Sequence, residues 1–324
     1  MIKNIVIDGN LALETVRVTE ASAMAAAKFI GLGDEKSADL AAAKAMKRAL
    51  DELPVQGTVR IGEGAESCVD DLFVGQSLGM GEGPKTDIAL VALEGKSITA
   101  RGGSNAMSVL AMAEDGNFLT VPDVYMDKIA IGAGLPKGLV DLDAEPGENL
   151  KALAAAKNAA IGDLVVCLLD RPRHGKLIAK VRQSGARINL IQDGDVSGVI
   201  ATATPESAVD MYLGIGGAQQ GVLAAAALRG DGGQMQGRLV VRNQNDQTLI
   251  TQAGIEDVGK KYTESEMASG HVIFVATGVT HGPLLNGVKN LSGRIITHSM
   301  VMRSTTGTLR IIEGFHNTAH TNDG

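Results

Sequence analysis

The chain has 324 residues, 44% of them hydrophobic and 21% charged, with mean hydropathy +0.10 and a net charge of −7. That length suits one large or two ordinary domains, and the composition is that of a globular protein, not of a disordered tail. The acidic balance argues against a general nucleic-acid or anionic-membrane surface while leaving room for a local basic pocket, and aromatics at 2% with no Trp argue against a stacking platform for single strands.

Cys68 and Cys167 make neither a disulfide framework nor a four-ligand zinc set. No apolar run reaches the roughly eighteen residues that span a bilayer. Met1–Gly9 carries Asp8 where a signal peptide needs an apolar core. The expected location is the cytoplasm, with no membrane and no nucleic-acid partner.

The pattern is strand and helix in alternation. Residues 14–30 are Ala-rich with helical spacing up to Gly31, and Ser37 is placed to cap a second helix that Pro54 ends. Short apolar runs bounded by Gly or Asp follow at 58–62, 87–93, 107–113 and 127–132 and read as buried strands. After Gly147 the rhythm is a plain strand–helix repeat: helix 148–160, strand 163–170, helix 172–185 and strand 187–193. An apolar run at 211–217 leads to helix 220–230, 271–278 is another strand, and 294–312 reads as returning strands. Alternation of this kind predicts a mostly parallel, covered sheet in an α/β protein. The change of rhythm sets the expected domains at 1–147 plus 295–324 and at 148–294.

Three segments carry chemistry. Asp170-Arg171-Pro172-Arg173-His174 joins a strand's C-terminal end to a helix N-terminus, the edge at which open α/β sheets bind ligands. Two guanidiniums there suit a phosphate, the bland alternative being a solvated loop with an ion pair to Asp170. Asp193-Gly194-Asp195 ends the next strand. It fits sugar hydroxyls or a metal, and it fits a turn with a helix cap equally well.

Gly214–Gly221 is a glycine-rich strand-to-helix turn that could cradle a phosphate. It fails as a dinucleotide fingerprint, because Gln219 stands where the third glycine belongs. In the first half Asp34, Asp39, Glu63, Asp87 and Glu94 lie near element ends. Such acids gather Mg²⁺ around a phosphate, although most in these places are caps or solvated charges.

The order of segments ALETVRVTEASAMAAAKFIGLGDEKSAD, TVRIGEG, VPDVYMDKIAIG, DRPRH, QDGDVSGVIATATP, GIGGA, ASGHVIFVATGVT and THSMVMRSTTGT resembles the class II fructose-1,6-bisphosphatases, from about Leu11 to about His316. The resemblance implies a layered sugar-phosphatase fold related to the lithium-sensitive phosphatases, with two α/β domains. The discontinuous one would be metal- and phosphatase-type, the inserted one sugar-phosphate-binding. It also implies a Mg²⁺ or Mn²⁺ centre, removal of the 1-phosphate of fructose 1,6-bisphosphate in gluconeogenesis, and a homo-oligomer. By position, Asp39, Glu63 and Glu94 match metal-ligand or catalytic carboxylates. Tyr125, Arg171, Arg173, Asp193, Asp195 and Gly217 match substrate contacts.

The chemical half of the pattern departs from the family. Its D-P-x-E-G-T signature reads Val91-Ala92-Leu93-Glu94-Gly95-Lys96, so a metal-ligand Asp is Val91 and a water-orienting Thr is Lys96. I-G-E-G-E ends in Ala65, Ser67–Asp71 replaces D-E-A-P-M, and Gln220 stands at a further acidic position. Mg²⁺ demands oxygen ligands and Val91 offers none, whereas Lys96 places an ammonium where a metal would stand, or pairs with Glu94. The expectation is a homologue that binds a sugar (bis)phosphate with hydrolysis impaired or lost, with the family's metal or with none, regulating or co-assembling with an active paralogue. The alternatives are an active fructose-1,6-bisphosphatase of gluconeogenesis and a sugar phosphatase of altered specificity.

Overall fold

The computed structural model describes residues 9–63, 71–204 and 207–317. In chain order the elements are α1 (Gly9–Ala27), α2 (Glu35–Asp51), β1 (Gln56–Ile61), β2 (Ser77–Leu78), β3 (Lys85–Glu94), α3 (Lys96–Arg101), β4 (Met107–Glu114) and β5 (Tyr125–Ile131). Next come α4 (Pro146–Lys157), β6 (Val165–Leu169), α5 (Gly175–Gln183), β7 (Arg187–Ile191), α6 (Asp195–Ala201), β8 (Met211–Gly217), α7 (Ala218–Asp231) and β9 (Gln234–Val240). The chain ends with α8 (Gln244–Gln252), β10 (Tyr262–Thr263), α9 (Glu264–Met267), β11 (Val272–Gly278), β12 (Lys289–Leu291), β13 (Arg294–Arg303) and β14 (Thr308–Asn317).

Two compact units result, Met1–Phe118 with Gly270–Gly324, and Leu119–Ser269. Strand pairing decides this division. β5 pairs with β8 and β9, and β11 pairs with β4 and β13, so residues 119–147 belong to the second unit and 270–294 to the first. The change of helix–strand rhythm at Gly147 coincides only with the start of α4.

The first unit is built on a sheet of order β12-β13-β11-β4-β3-β1-β2, with β14 on the other side of β13. β11 (VIFVATG) is buried along its whole length, as a strand flanked on both sides should be. α2 buries Ala38, Asp39, Ala42, Ala43, Met46 and Leu50, a stripe at helical spacing that contains one carboxylate. Its cap is Asp34, whose side chain accepts from the Ser37 N–H; the capping residue expected from sequence was Ser37.

The second unit's sheet has the order β10-β9-β5-β8-β6-β7. Alternate residues of β5 point to opposite faces. Ile129 and Ile131 join Leu150, Leu153, Ile178 and Val181 of α4 and α5 in one core, while Gly221 of α7 packs close to Met126 and Lys128 on the other face. α7 (AQQGVLAAAALRGD) is buried nearly all round, so small Ala side chains let it sit close to its neighbours.

The expectation of mostly parallel sheets is corrected. Among the described residues only β1·β3, β6·β7 and β6·β8 pair in parallel, and the remaining pairs are antiparallel. Alternation of helix and strand does not force parallel pairing when strands distant in sequence become neighbours, as β5 does between β8 and β9.

Candidate functional site

In the first unit three chemistry-bearing side chains meet. Asp39 comes from the buried stripe of α2, Glu63 follows β1, and Lys96 is the first residue of α3. Gly95 caps that helix with φ +89°, a left-handed conformation that glycine adopts without strain. Lys96 Nζ lies 2.6 Å from Asp39 Oδ2 and 3.5 Å from Glu63 Oε2. The Ala92 N–H donates to Glu63 Oε1 at 3.3 Å, and Asp39 Oδ1 has no hydrogen-bond partner among the described residues. Burial works against the charged form of Lys96, but the adjacent Glu63 and Asp39 carboxylates outweigh it and hold the ammonium above its ordinary range. Both acids are nine-tenths or more buried. Glu94, also buried, ends β3, and Val91 lies three residues earlier on the same strand.

As placed, these residues do not suit a divalent ion. An ammonium already stands on both carboxylates, Val91 has no donor atom, and among the described residues no group of three or more His, Cys, Asp or Glu is arranged to hold a metal. Ala65 and residues 67–70 of the altered segment lie outside the described residues.

In the second unit one sheet edge collects the substrate-type residues. Tyr125 begins β5 and is paired across the sheet with Gly217 at the end of β8 and Val240 at the end of β9. β6 and β7 run parallel to β8, so Arg171, Arg173 and Asp193 follow strand ends at the same edge. Arg173 and Arg242 both stack on the Tyr125 ring, with guanidinium-to-centroid distances of 4.8 and 4.0 Å. Arg173 donates Nε and Nη2 to Ile215 O at 2.9 and 2.7 Å, and Arg242 donates Nε and Nη2 to the Asp246 carboxylate at 2.8 and 3.0 Å. Arg171 Nη1 donates to Asp170 O at 3.1 Å, and its Nη2 stands 3.9 Å from Asp193 Oδ1.

His174 fixes this edge from below. Its Nε2 accepts the Ile215 N–H at 2.8 Å, so the proton must sit on Nδ1, which donates to Leu169 O at 2.8 Å. Burial pushes its pKa below the ordinary value, keeping the ring neutral. One imidazole thus ties the end of β6 to β8 and holds the turn that carries Arg173.

The two acids of Asp193-Gly194-Asp195 part company. Asp193 is partly exposed, and its Oδ1 accepts from the Gly194 N–H at 3.1 Å. Asp195 is buried in the first turn of α6 and pairs with Lys128 Nζ, which also donates to Gly217 O at 2.8 Å. Asp195 therefore braces the Gly217 turn from within. Gly216 has to be glycine here, since a Cβ would come within 2.0 Å of Asp195 Oδ2. Gln220, in the first turn of α7, lies against Gly217 in the same way.

Sequence reasoning missed Lys128 and Arg242. A lone Lys inside the apolar strand YMDKIAIG was a readable signal, because a buried ammonium requires an acidic partner. Arg242 gave none of its own: it reaches the edge because β9, a half-polar strand outside the apolar runs, runs antiparallel to β5.

A mixed α/β protein with an arginine-lined, aromatic-backed strand-end edge is of the phosphate-handling kind. The family model described as "Bacterial fructose-1,6-bisphosphatase, glpX-encoded" matches residues 9–316, and the chain belongs to the class II fructose-1,6-bisphosphatase family. It is 40% identical over 320 residues to fructose-1,6-bisphosphatase 1 class 2 of Escherichia coli (strain K12), covering 94% of this chain and 95% of that protein. The same figures hold for the fructose-1,6-bisphosphatase class 2 of Shigella flexneri. The family is generally metal-dependent. No helix among the described residues is long and apolar enough to cross a membrane.

Proposed function

We propose that this chain binds a sugar (bis)phosphate such as fructose 1,6-bisphosphate and that its metal-dependent removal of the 1-phosphate is impaired or lost. The observation that carries this reading is Lys96, whose ammonium occupies the Asp39 and Glu63 carboxylates. An ammonium attracts a phosphate as a point charge, but it does not lower the pKa of a bound water as a metal does. In this reading the first unit is the altered phosphatase-type domain and the second the sugar-phosphate-binding one. Arg171 and Arg173 take a phosphate, while Asp193 and the Tyr125 hydroxyl meet sugar hydroxyls. The protein acts in the cytoplasm as a homo-oligomer or beside an active paralogue.

The test is phosphate release from fructose 1,6-bisphosphate with Mg²⁺ or Mn²⁺, run beside calorimetric binding of the same compound. Binding without turnover is expected. Metal-dependent turnover would instead support the alternative of an active enzyme, which the similarity to the Escherichia coli protein favours. Arg173→Ala should weaken binding ten- to a hundredfold, since a charge-assisted contact is worth about 1.5–3 kcal/mol. Unchanged affinity in that variant would remove the assignment of the arginine edge.

A further inference from the structure

A second basic cavity lies in the Leu119–Ser269 unit, at the sheet edge opposite Tyr125: β9 begins there, with Gln234 paired to Ile131, and reaches the Tyr125 edge only at Val240. It encloses about 380 Å³ and is lined by Lys137, Arg229, Gln234, Gln236, Glu264 and Ser265, among others.

Its walls are fixed by hydrogen bonds. Gln234 Nε2 donates to Leu135 O and Pro136 O at 2.9 and 3.1 Å, and its Oε1 accepts the Gly138 N–H at 3.0 Å. Gln236 Oε1 accepts the Leu142 N–H at 3.0 Å, and Glu264 Oε2 accepts the Met235 N–H at 3.2 Å.

Arg229 is the anomaly. It sits in the last turn of α7, partly buried, and its Nε is fully buried with no hydrogen-bond partner. Among the described residues its guanidinium has no ion pair, and neither does the exposed Lys137. A cation near a helix C-terminus is favoured by the helix dipole, but the dipole supplies no acceptor for a buried N–H. Arginine is the side chain best matched to a planar or tetrahedral oxyanion, and here it lines a polar cavity.

We propose that this cavity is a second anion-binding site, taking a small phosphate- or carboxylate-bearing compound on Arg229 and Lys137, with Glu264 Oε1 accepting from a hydroxyl of the same ligand. The proposal is independent of the reading of the Tyr125 edge, because the two places share no residue and lie at opposite ends of α7. That helix has 14 residues and is therefore about 20 Å long.

The experiment is hydrogen exchange on the full chain in chloride, in inorganic phosphate and in malate, at matched ionic strength. Either oxyanion, at up to about 50 mM, should slow exchange over residues 133–140 and 229–236. Phosphate alone doing so would identify a phosphate ligand, and malate alone a carboxylate. The protection should survive Arg173→Ala, which disturbs only the other edge, and vanish in Arg229→Gln. Lys137→Gln, a change at an exposed side chain, should weaken the effect at least threefold and serves where the arginine variant does not fold. Absence of protection by both oxyanions, equal protection in Arg229→Gln, or unchanged affinity in Lys137→Gln would overturn the proposal.

Discussion

Lys96 is the residue on which the chemistry of the first unit turns. Replacing it by Thr leaves two buried carboxylates without their cation. The cost should be about 1–3 kcal/mol, below that of a wholly buried charge because Lys96 is itself 36% exposed. Adding Val91→Asp supplies an oxygen ligand. The double variant should therefore melt lower than the parent without metal and gain melting temperature in Mg²⁺ or Mn²⁺, while the parent shows no metal response. Stoichiometric Mn²⁺ binding by the parent would contradict this account. His174 makes the second residue-scale prediction. Its folded pKa lies below the unfolded value of 6.5, so the neutral ring contributes stability that is complete above that pH. This stability is lost as the pH falls from there toward the folded value. His298, likewise lowered by burial, acts in the same direction. Melting curves at about pH 7.5 and pH 5 should show a drop on acidification that is smaller in His174→Asn. An equal drop in both proteins would remove the assigned tautomer lock from the explanation.

Among elements, the turn from β8 into α7 is the most tightly determined. Gly216→Ala drives a methyl into the carboxylate of Asp195 and toward Lys128 Nζ, so it should destabilise by about 1–3 kcal/mol and weaken ligand binding at the Tyr125 edge. Gly175→Ala makes a control, since a Cβ there meets nothing within 4 Å. Chemical denaturation of both variants decides the matter, and equal midpoints would sink the argument. Elements of this sort were mostly legible in the sequence. The runs at 107–113, 187–193 and 211–217 correspond to β4, β7 and β8, and the stretch read as helix 172–185 divides into a 3-10 turn at Pro172–His174 and α5. What the pattern hid was pairing. β9 (QMQGRLV) alternates half-buried and buried residues along its whole length but holds no continuous apolar run, and α6 is a short helix behind a turn whose Asp-Gly-Asp chemistry dominates the reading. Orientation was hidden too, because β5 finds its partners some 80 or more residues away, beyond any local periodicity.

At the scale of the whole molecule, two of the cores formed by the described residues share no residue, one around Leu90, Leu110 and Val275 and the other around Leu150, Leu168 and Val181. Leu110→Ala and Leu168→Ala should each cost about 2–5 kcal/mol. Amide exchange should rise first in β4 for the former variant and in β6 for the latter, and the reverse pattern would contradict the division. The arginine edge was legible before the fold was known because its residues follow successive strand ends. The occupation of Asp39 and Glu63 by Lys96 was legible only as a substitution. Which acid the ammonium would choose depends on α2 lying beside α3, and no motif encodes that neighbourhood. The scarcity of aromatic side chains has an optical consequence. With no Trp and three Tyr in the chain, near-ultraviolet absorption and emission come chiefly from tyrosines. Tyr212 and Tyr262 are buried, which leaves Tyr125, under two guanidiniums, as the chromophore that a ligand can reach. Any anion that draws Arg173 or Arg242 off that ring changes the field on its phenol, so the unlabelled protein carries its own spectroscopic reporter of occupancy at that edge.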